Sequence, residues 1–352
     1  MNKGTDVMSL SRDEMETWMQ QQSYPKYRGT QLFESLWRQR LAGYGQISAW
    51  PKELREIMSR TAPFYRLQAV TVQKAPDGTR KILARLSDGQ QIETVVLPHH
   101  YGYSVCVSSQ VGCNMGCKFC ASGLLKRTRN LTAGEMLDQV RLANDLIASE
   151  EQGVSRVDLM GIGEPLDNYD NVVRFIKMAH DSHGFNLSHR KFTISTSGLI
   201  RDIYRLSQEK IPVTLAVSLH APNDALRSQI MPVNRAYPIT PLVEACQFYF
   251  AKTGRRVSFE YALLAGINDS VLMAQQLAKL LEGLSCHVNL IPWNPVPEHP
   301  FSPSPPKRVE EFQKIVQNRG ISCTIRKELG QNIEAACGQL RRREDAAHHI
   351  EL

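Results

Sequence analysis

Residues 113–120 read Cys-Asn-Met-Gly-Cys-Lys-Phe-Cys, which places Cys113, Cys117 and Cys120 at C-x3-C-x2-C spacing. Thiolates suit zinc or iron–sulfur clusters. A structural zinc site closes with four protein ligands, and a ferredoxin supplies four cysteines to each cubane cluster. Three cysteines therefore predict one [4Fe-4S] cluster whose fourth iron stays open for a reactant. The alternative is a zinc site that takes its fourth ligand from His99 or His100.

Five further cysteines lie outside this motif. Cys246, Cys286 and Cys323 fall in apolar stretches, so we expect small buried side chains. Judged by its neighbours alone, Cys106 also resembles a buried strand residue, and Cys337 has no evident role.

Downstream of the motif, strand-like and helix-like patterns alternate. We predict strands over 156–160, 192–196, 213–219, 257–263, 286–291 and 322–327, with helices between them. Six strand–helix repeats predict a parallel α/β sheet. A doubly wound sheet and a partial barrel both fit this periodicity.

The residues before the motif show two other patterns. The first 60 or so are helical in character, and Ser11 with Glu14 forms a capping box. Residues 67–97 predict a β-meander, with turns at Asp77-Gly78 and Asp88-Gly89. We expect a helical domain over 1–62, a meander linker over 63–100, a barrel domain over 101–342 and a flexible tail over 343–352.

Composition narrows the range of partners and locations. Hydrophobic residues make up 42% of the 352 residues, as in a globular protein. We find neither a membrane span nor a signal peptide and expect a cytoplasmic protein. The formal charge of +7 is compatible with a polyanionic partner such as RNA. Candidate contacts are the N-terminal helices and the basic residues Lys126, Arg127, Arg129, Arg341, Arg342 and Arg343.

Polar residues follow the ends of successive predicted strands, where α/β folds bind ligands. These candidate cofactor-binding residues are Gly163, Glu164, Ser195, Ser218, Leu219, His220 and Asn294.

Together, these motifs resemble the RlmN/Cfr family of radical S-adenosylmethionine (SAM) RNA methyltransferases. The segments that carry the resemblance are 106–113, 218–224, 231–235, 266–270, 289–295 and 335–340. The resemblance implies a partial (β/α)6 barrel, one [4Fe-4S] cluster and two SAM molecules per turnover.

The resemblance also implies roles for single residues. Cys337 would accept a methyl group from one SAM, and the 5′-deoxyadenosyl radical from a second SAM would take a hydrogen from that methyl. The resulting carbon radical would add to an adenine. Cys106 would then release the product by forming a disulfide with Cys337, and Glu93 would accept the proton from the adenine.

The implied substrate is C2 of an adenine in 23S ribosomal RNA and, for some members, an adenine in the tRNA anticodon loop. An electron donor such as flavodoxin or ferredoxin and a monomeric state are also expected. The motifs Gly163-Glu164-Pro165, Ser195–Gly198 and Leu290–Pro295 favour RlmN over the Cfr type, which methylates C8. Two different functions also fit the cysteine motif: a radical SAM reaction on a small molecule, and RNA binding by a non-catalytic, zinc-stabilised protein.

Overall fold

A ten-stranded sheet organises the computed structural model, which describes residues 5–150 and 152–326. Its first four strands are antiparallel neighbours: β1 (Gln68–Lys74), β2 (Arg80–Arg85), β3 (Gln91–His99) and β4 (Gly102–Cys106). A separate two-stranded ribbon consists of β5 (Gln110–Val111) and β6 (Arg129–Asn130).

The rest of the large sheet is parallel and begins at β4. It continues through β7 (Val154–Leu159), β8 (Phe192–Thr196), β9 (Thr214–Ser218), β10 (Val257–Leu263), β11 (Cys286–Pro292) and β12 (Ser322–Ile325). The predicted parallel α/β sheet is confirmed, and β4 adds one strand to the six predicted.

Strand order decides between the two predicted architectures. Each parallel strand lies beside the one before it in sequence, from β4 to β12, and the order never reverses. Because crossovers are right-handed, an order without reversal places the connecting helices on one side of the sheet. This is the order of a partial barrel rather than of a doubly wound sheet.

Helices connect these strands. They are α4 (Ala133–Leu146), α5 (Tyr169–His180), α6 (Ile200–Gln208), α7 (Asp224–Ile230), α8 (Ile239–Thr253), α9 (Val271–Leu280) and α10 (Pro306–Asn318). A capping box begins α4, where Thr132 Oγ1 accepts a hydrogen bond from Glu135 N at 3.2 Å.

Three helices precede the sheet: α1 (Arg12–Gln21), α2 (Tyr27–Trp37) and α3 (Lys52–Thr61). The predicted capping box of Ser11 and Glu14 is present. Buried Asp138 on α4 anchors the chain that follows these helices, because it accepts hydrogen bonds from Arg66 Nη1 at 2.8 Å and Leu67 N at 2.6 Å. Arg141 Nε donates to the same carboxylate at 2.5 Å.

The predicted meander is part of the large sheet. Gly78 and Gly89 have φ of 86° and 82°, as their turns require. Since β3 pairs with β4, the sheet continues through residue 100, where the sequence suggested a boundary between linker and barrel. The division into four segments stays a prediction.

One row of paired residues crosses this sheet and faces the barrel interior. Lys81 pairs with Val95, Val95 with Cys106, Cys106 with Asp158, and Asp158 with Thr193. Paired residues point to the same face of a sheet.

Within the described residues, no helix is long and apolar enough to cross a membrane.

Candidate active site

A cavity of about 380 Å³ opens at the carboxyl ends of the parallel strands. Many of its lining residues are ones that the sequence singled out. These are Cys106, Cys113, Cys117, Cys120, Gly163, Glu164, Ser195, Ser218, His220 and Asn294.

The loop that bears Cys113, Cys117 and Cys120 is held by its own return segment. Cys113 N donates to Leu125 O at 2.7 Å. Gly112 has a φ of 81°, and a Cβ atom there would lie 2.7 Å from Leu125 O. A side chain at position 112 would therefore push the two segments apart, so this glycine is required by close packing within the loop.

Distant segments fix the other side of the same loop. Lys118 N donates at 2.9 Å to the carbonyl oxygen of Ile230, the last residue of α7. Trp293 Nε1 donates to Phe119 O at 2.9 Å from the loop that follows β11. The cysteine loop is thus attached to the segments that follow β9 and β11.

The three thiols lie in a poorly solvated environment. Burial raises the pKa of Cys113 to about 12 and the pKa of Cys117 well above its ordinary value. Because cysteine binds metal as a thiolate, loading this site would release protons. Three soft donors on the wall of one cavity fit an iron–sulfur cluster with an open position. The described residues contain no group of three or more His, Cys, Asp or Glu that could hold a single metal ion.

The glycine-rich segment after β7 packs tightly against the chain after β4. A Cβ atom on Gly161 would lie 2.7 Å from Ser108 N. Gly163 has a φ of 110°, and a Cβ there would lie 2.6 Å from the Cβ of Gln110. Both positions need glycine, because the two backbones meet without space for a side chain.

Glu164 connects this segment to the next strand. Its carboxylate accepts hydrogen bonds from Ser197 N at 2.7 Å and from Leu166 N at 3.1 Å. Its own N–H donates to Gln110 Oε1 at 2.9 Å. Burial raises the pKa of Glu164, and the hydrogen bonds from Ser197 and Leu166 act in the opposite direction. The side chain therefore holds the ends of β7 and β8 together at the cavity.

His220 continues the cavity wall after β9. It has a φ of 56°, which a histidine rarely adopts. Its Nδ1 accepts a hydrogen bond from Ala262 N at 2.8 Å, so the ring is neutral with its proton on Nε2. Burial, together with the charge of Arg227, lowers the pKa of His220 to about 3. Leu219 is fully buried, and its N–H donates to Glu260 O at 3.0 Å.

Arg227 on α7 joins the strand ends beneath the cavity. Its side chain is fully buried and donates to Ser197 O at 2.6 Å, Ser218 O at 3.0 Å and Leu219 O at 3.1 Å. Burial lowers its pKa to about 10. The guanidinium thus fixes the carbonyl ends of β8 and β9 relative to each other. Sequence patterns did not single out this residue, because an arginine in a short polar helix resembles any solvated side chain.

Cys106 and Glu93 lie on the antiparallel strands next to the cavity, and of the two only Cys106 lines it. Cys106 ends β4. Glu93 on β3 is 2% exposed, and its carboxylate lies 3.2 Å from Lys81 Nζ. Glu93 O accepts a hydrogen bond from Ser108 Oγ at 2.6 Å. Glu93 is therefore a buried, ion-paired residue.

The remaining predicted residues fall into two groups. Cys337 and the arginines 341–343 lie outside the described residues. Arg129 forms ion pairs with Asp88 at 2.7 Å and Glu135 at 2.8 Å, and Arg127 pairs with Asp167. The two arginines therefore hold the segment after the cysteine loop against its neighbours.

Comparison with known proteins agrees with this site. Residues 107–277 match the model of the radical SAM superfamily. The chain is 45% identical over 342 residues to a protein of Bacillus thuringiensis subsp. konkukian named a probable dual-specificity RNA methyltransferase RlmN, covering 97% of this chain and 94% of that one. A protein of the same name from Bacillus cytotoxicus matches with the same identity and coverage. The chain belongs to the RlmN family of radical SAM methyltransferases.

A solved structure supports the same assignment. A radical SAM methyltransferase from Sphaerobacter thermophilus superposes with a TM-score of 0.92 at 45% identity, covering 95% of this chain and 98% of that one. Membership of the family implies a [4Fe-4S] cluster and SAM as cofactors. The protein is therefore an enzyme, and a non-catalytic zinc protein is excluded.

Proposed function

We propose that the protein methylates C2 of adenine 2503 in 23S ribosomal RNA and C2 of adenine 37 in tRNA. The observation that carries this proposal is the position of Cys106, which lines the same cavity as Cys113, Cys117 and Cys120. Cleavage of SAM in this superfamily needs only three cysteines. A fourth thiol at the reaction site fits a reaction in which a thioether tether must be broken.

The proposed reaction gives separate tasks to Cys337 and to the cluster. An aromatic C2–H is not nucleophilic, so direct methyl transfer from SAM cannot modify it. Cys337 takes the methyl group from a first SAM and carries it as a thioether, and a second SAM is consumed in the same turnover. When bound, the cluster supplies the electron that cleaves that second SAM.

Within the described residues, Gly163, Ser195, Ser218 and Asn294 bind and orient SAM in this proposal. They lie at the carboxyl ends of β7, β8, β9 and β11 and line the cavity. Glu164, Leu219 and His220 support them: Glu164 and His220 through hydrogen bonds to neighbouring backbone amides, and Leu219 by burial. Glu93 accepts the C2 proton, and Cys106 breaks the thioether by pairing with Cys337.

Charge and relatives support RNA as the substrate. The formal charge is +7, and Lys118 and Lys126 are exposed on the cysteine loop and on the segment that follows it. The relatives are named dual-specificity RNA methyltransferases. We further propose that the enzyme works as a monomer and receives electrons from a flavodoxin or ferredoxin.

Mass spectrometry of nucleosides tests the proposal directly. The anaerobically reconstituted enzyme, with SAM and a reductant, is incubated with unmodified 23S RNA and, separately, with unmodified tRNA. We expect 2-methyladenosine from both. 8-Methyladenosine would establish the Cfr-type reaction instead, and an unmodified adenosine in both RNAs would contradict the assignment.

Cysteine variants test the mechanism. Cys337→Ala should abolish methylation while SAM cleavage continues, because the methyl carrier is missing. Cys106→Ala should leave enzyme covalently attached to RNA, because the thioether cannot be broken. Cys286→Ala is the matched control, since Cys286 is buried at the start of β11, at the opposite end of that strand from the cavity. Normal methylation by Cys337→Ala would refute the tethered-methyl mechanism.

A further inference from the structure

Lys81 is a fully buried lysine on β2, with a side-chain exposure of 0%. Lysines are almost never fully buried unless they are paired. Its Nζ lies 3.2 Å from Oε2 of Glu93, whose side chain is 2% exposed. The two form a buried ion pair inside the barrel.

The hairpin places this pair beside the cavity. The turn at Asp88-Gly89 sets Leu83 opposite Glu93, and Lys81 opposite Val95. Because side chains alternate along a strand, Lys81, Glu93 and Val95 share one face. Val95 and its partner Cys106 both line the cavity. The ion pair therefore adjoins the thiol that the proposed function uses for product release.

We propose that Lys81 is a positioning residue that keeps the Glu93 carboxylate ionised and directed along this face, so that Glu93 can accept the proton from adenine C2. This inference rests on the proposed function. In the step, the C2–H bond breaks, its electron pair stays on the adenine ring, and the proton forms an O–H bond with Glu93. The net charge of the Lys81–Glu93 pair therefore changes from zero to +1.

A counter-charge is needed because a carboxylate buried alone takes up a proton. A Glu93 that is already protonated cannot accept another proton. Lys81 supplies the positive charge from the strand adjacent to Glu93, where both side chains are shielded from water and the attraction is strong.

The other cations near Glu93 are less favourably placed than Lys81: Arg85 is diagonal to Glu93 on the same face but exposed to water, and Arg326 lies across the barrel. On the same face, within the described residues, β4 contributes Cys106 and β7 contributes Asp158, which is acidic like Glu93. Across the barrel, β10 carries Glu260, and Arg326 follows β12. On the opposite face of β3, α4 presents the neutral Gln139, which accepts a hydrogen bond from Thr94 at 2.9 Å. Asp158 and Glu260 would favour protonation of Glu93, which makes the lysine more important.

The pH dependence of methyl transfer tests this role. Lys81→Met removes the cationic neighbour of Glu93. The acidic limb of the rate profile should therefore move to higher pH, with at least a tenfold loss near neutral pH that recovers as the pH rises. Lys81→Arg keeps the charge and should retain the wild-type limb. A wild-type limb in Lys81→Met would overturn the inference.

Thermal unfolding of the cluster-loaded protein gives a second readout that needs no methyl transfer. In Lys81→Met, Glu93 is buried without the lysine, so folding favours its protonated form. The folded protein is therefore least affected at low pH and loses stability as the pH rises. The Tm deficit against wild type should therefore grow between about pH 5 and 8. It should not grow in Lys81→Met/Glu93→Gln, which has no charge at either position.

These measurements separate the two proposals. Normal methylation by Glu93→Gln would refute the role of Glu93, whatever the Tm data show. If Glu93→Gln is inactive and the Tm deficit of Lys81→Met is independent of pH, the inference about Lys81 is refuted and the proposed role of Glu93 stands. Should Lys81→Met be unfolded near neutral pH, the inference requires it to fold at about pH 5, where Glu93 is neutral. The inference would be contradicted if Lys81→Met failed to fold at both pH values while Lys81→Met/Glu93→Gln folded.

Discussion

Arg227→Met removes the buried cation that holds the ends of β8 and β9. Besides three backbone carbonyls of those strand ends, the guanidinium donates to Asn234 Oδ1 at 2.9 Å and to Tyr237 O at 3.3 Å. Each buried acceptor left without a partner costs about 1–3 kcal/mol. The methionine avoids the desolvation of a charge, and relaxation satisfies some acceptors. We expect the free energy of unfolding to fall by about 3–5 kcal/mol, as in other buried charged networks that lose one partner.

Urea unfolding under reducing, anaerobic conditions measures this loss, with SAM binding as a second measurement. The affinity for SAM should fall, because Ser197 and Ser218 lose their common anchor at the cavity. Arg227→Lys should be intermediate, since an ammonium has three donors and the guanidinium has five. Arg235→Met, which changes an exposed arginine shortly after α7, should stay within about 0.5 kcal/mol of wild type. A destabilisation below about 1 kcal/mol in Arg227→Met would refute the reasoning.

Three further changes test other parts of the site and its support. In the wild-type protein, His220 has a pKa of about 3, so acidification protonates the unfolded state first and lowers the free energy of unfolding. His220→Asn should therefore lose less stability than wild type between about pH 6.5 and 4, as measured by urea titrations at several pH values. Gly163→Ala should cost about 1–3 kcal/mol and weaken SAM binding, since its φ of 110° and the nearby Gln110 leave no room for a methyl group; calorimetry that shows wild-type SAM affinity would contradict this. Asp138→Ala should lower stability by about 3–5 kcal/mol in urea unfolding, because it leaves Arg66 buried without its counter-charge, and a loss under about 1 kcal/mol would count against that account.

The elements of the fold could be predicted because their signals are local. The predicted strand over 192–196 is found as Phe192–Thr196, and the predicted strand over 257–263 as Val257–Leu263. The predicted turns at Asp77-Gly78 and Asp88-Gly89 also form. Alternation of apolar residues and glycine at positive φ depend only on neighbouring residues. The sequence was less informative on β4, since a five-residue apolar stretch beside the cysteine motif resembles a loop leading into it.

The candidate site was predicted unevenly. The cysteine motif at 113–120 and the glycine segment at 161–165 were found because their spacing is itself a signal. Arg227 was not predicted, because its acceptors come from three separate segments of the chain. Lys81 was not predicted either, although the register fixed by Asp88-Gly89 places it diagonal to Glu93.

The sequence by itself determined the identity of the chemistry in this protein. Cys113, Cys117 and Cys120 at their spacing predict a soft-ligand cluster with an open position, because three thiolates close to one another in sequence can reach one cluster. Periodicity likewise determined the alternation of strands and helices, since hydrogen bonding and side-chain direction repeat locally.

Only the tertiary structure decided which residues lie around the cavity. Strand order places Cys106 on the cavity wall, and hairpin pairing buries Lys81 against Glu93. Such contacts join residues that are distant in sequence, and no local sequence pattern indicates them. Their strength also depends on burial, because the same ion pair contributes little in water and much where water is excluded.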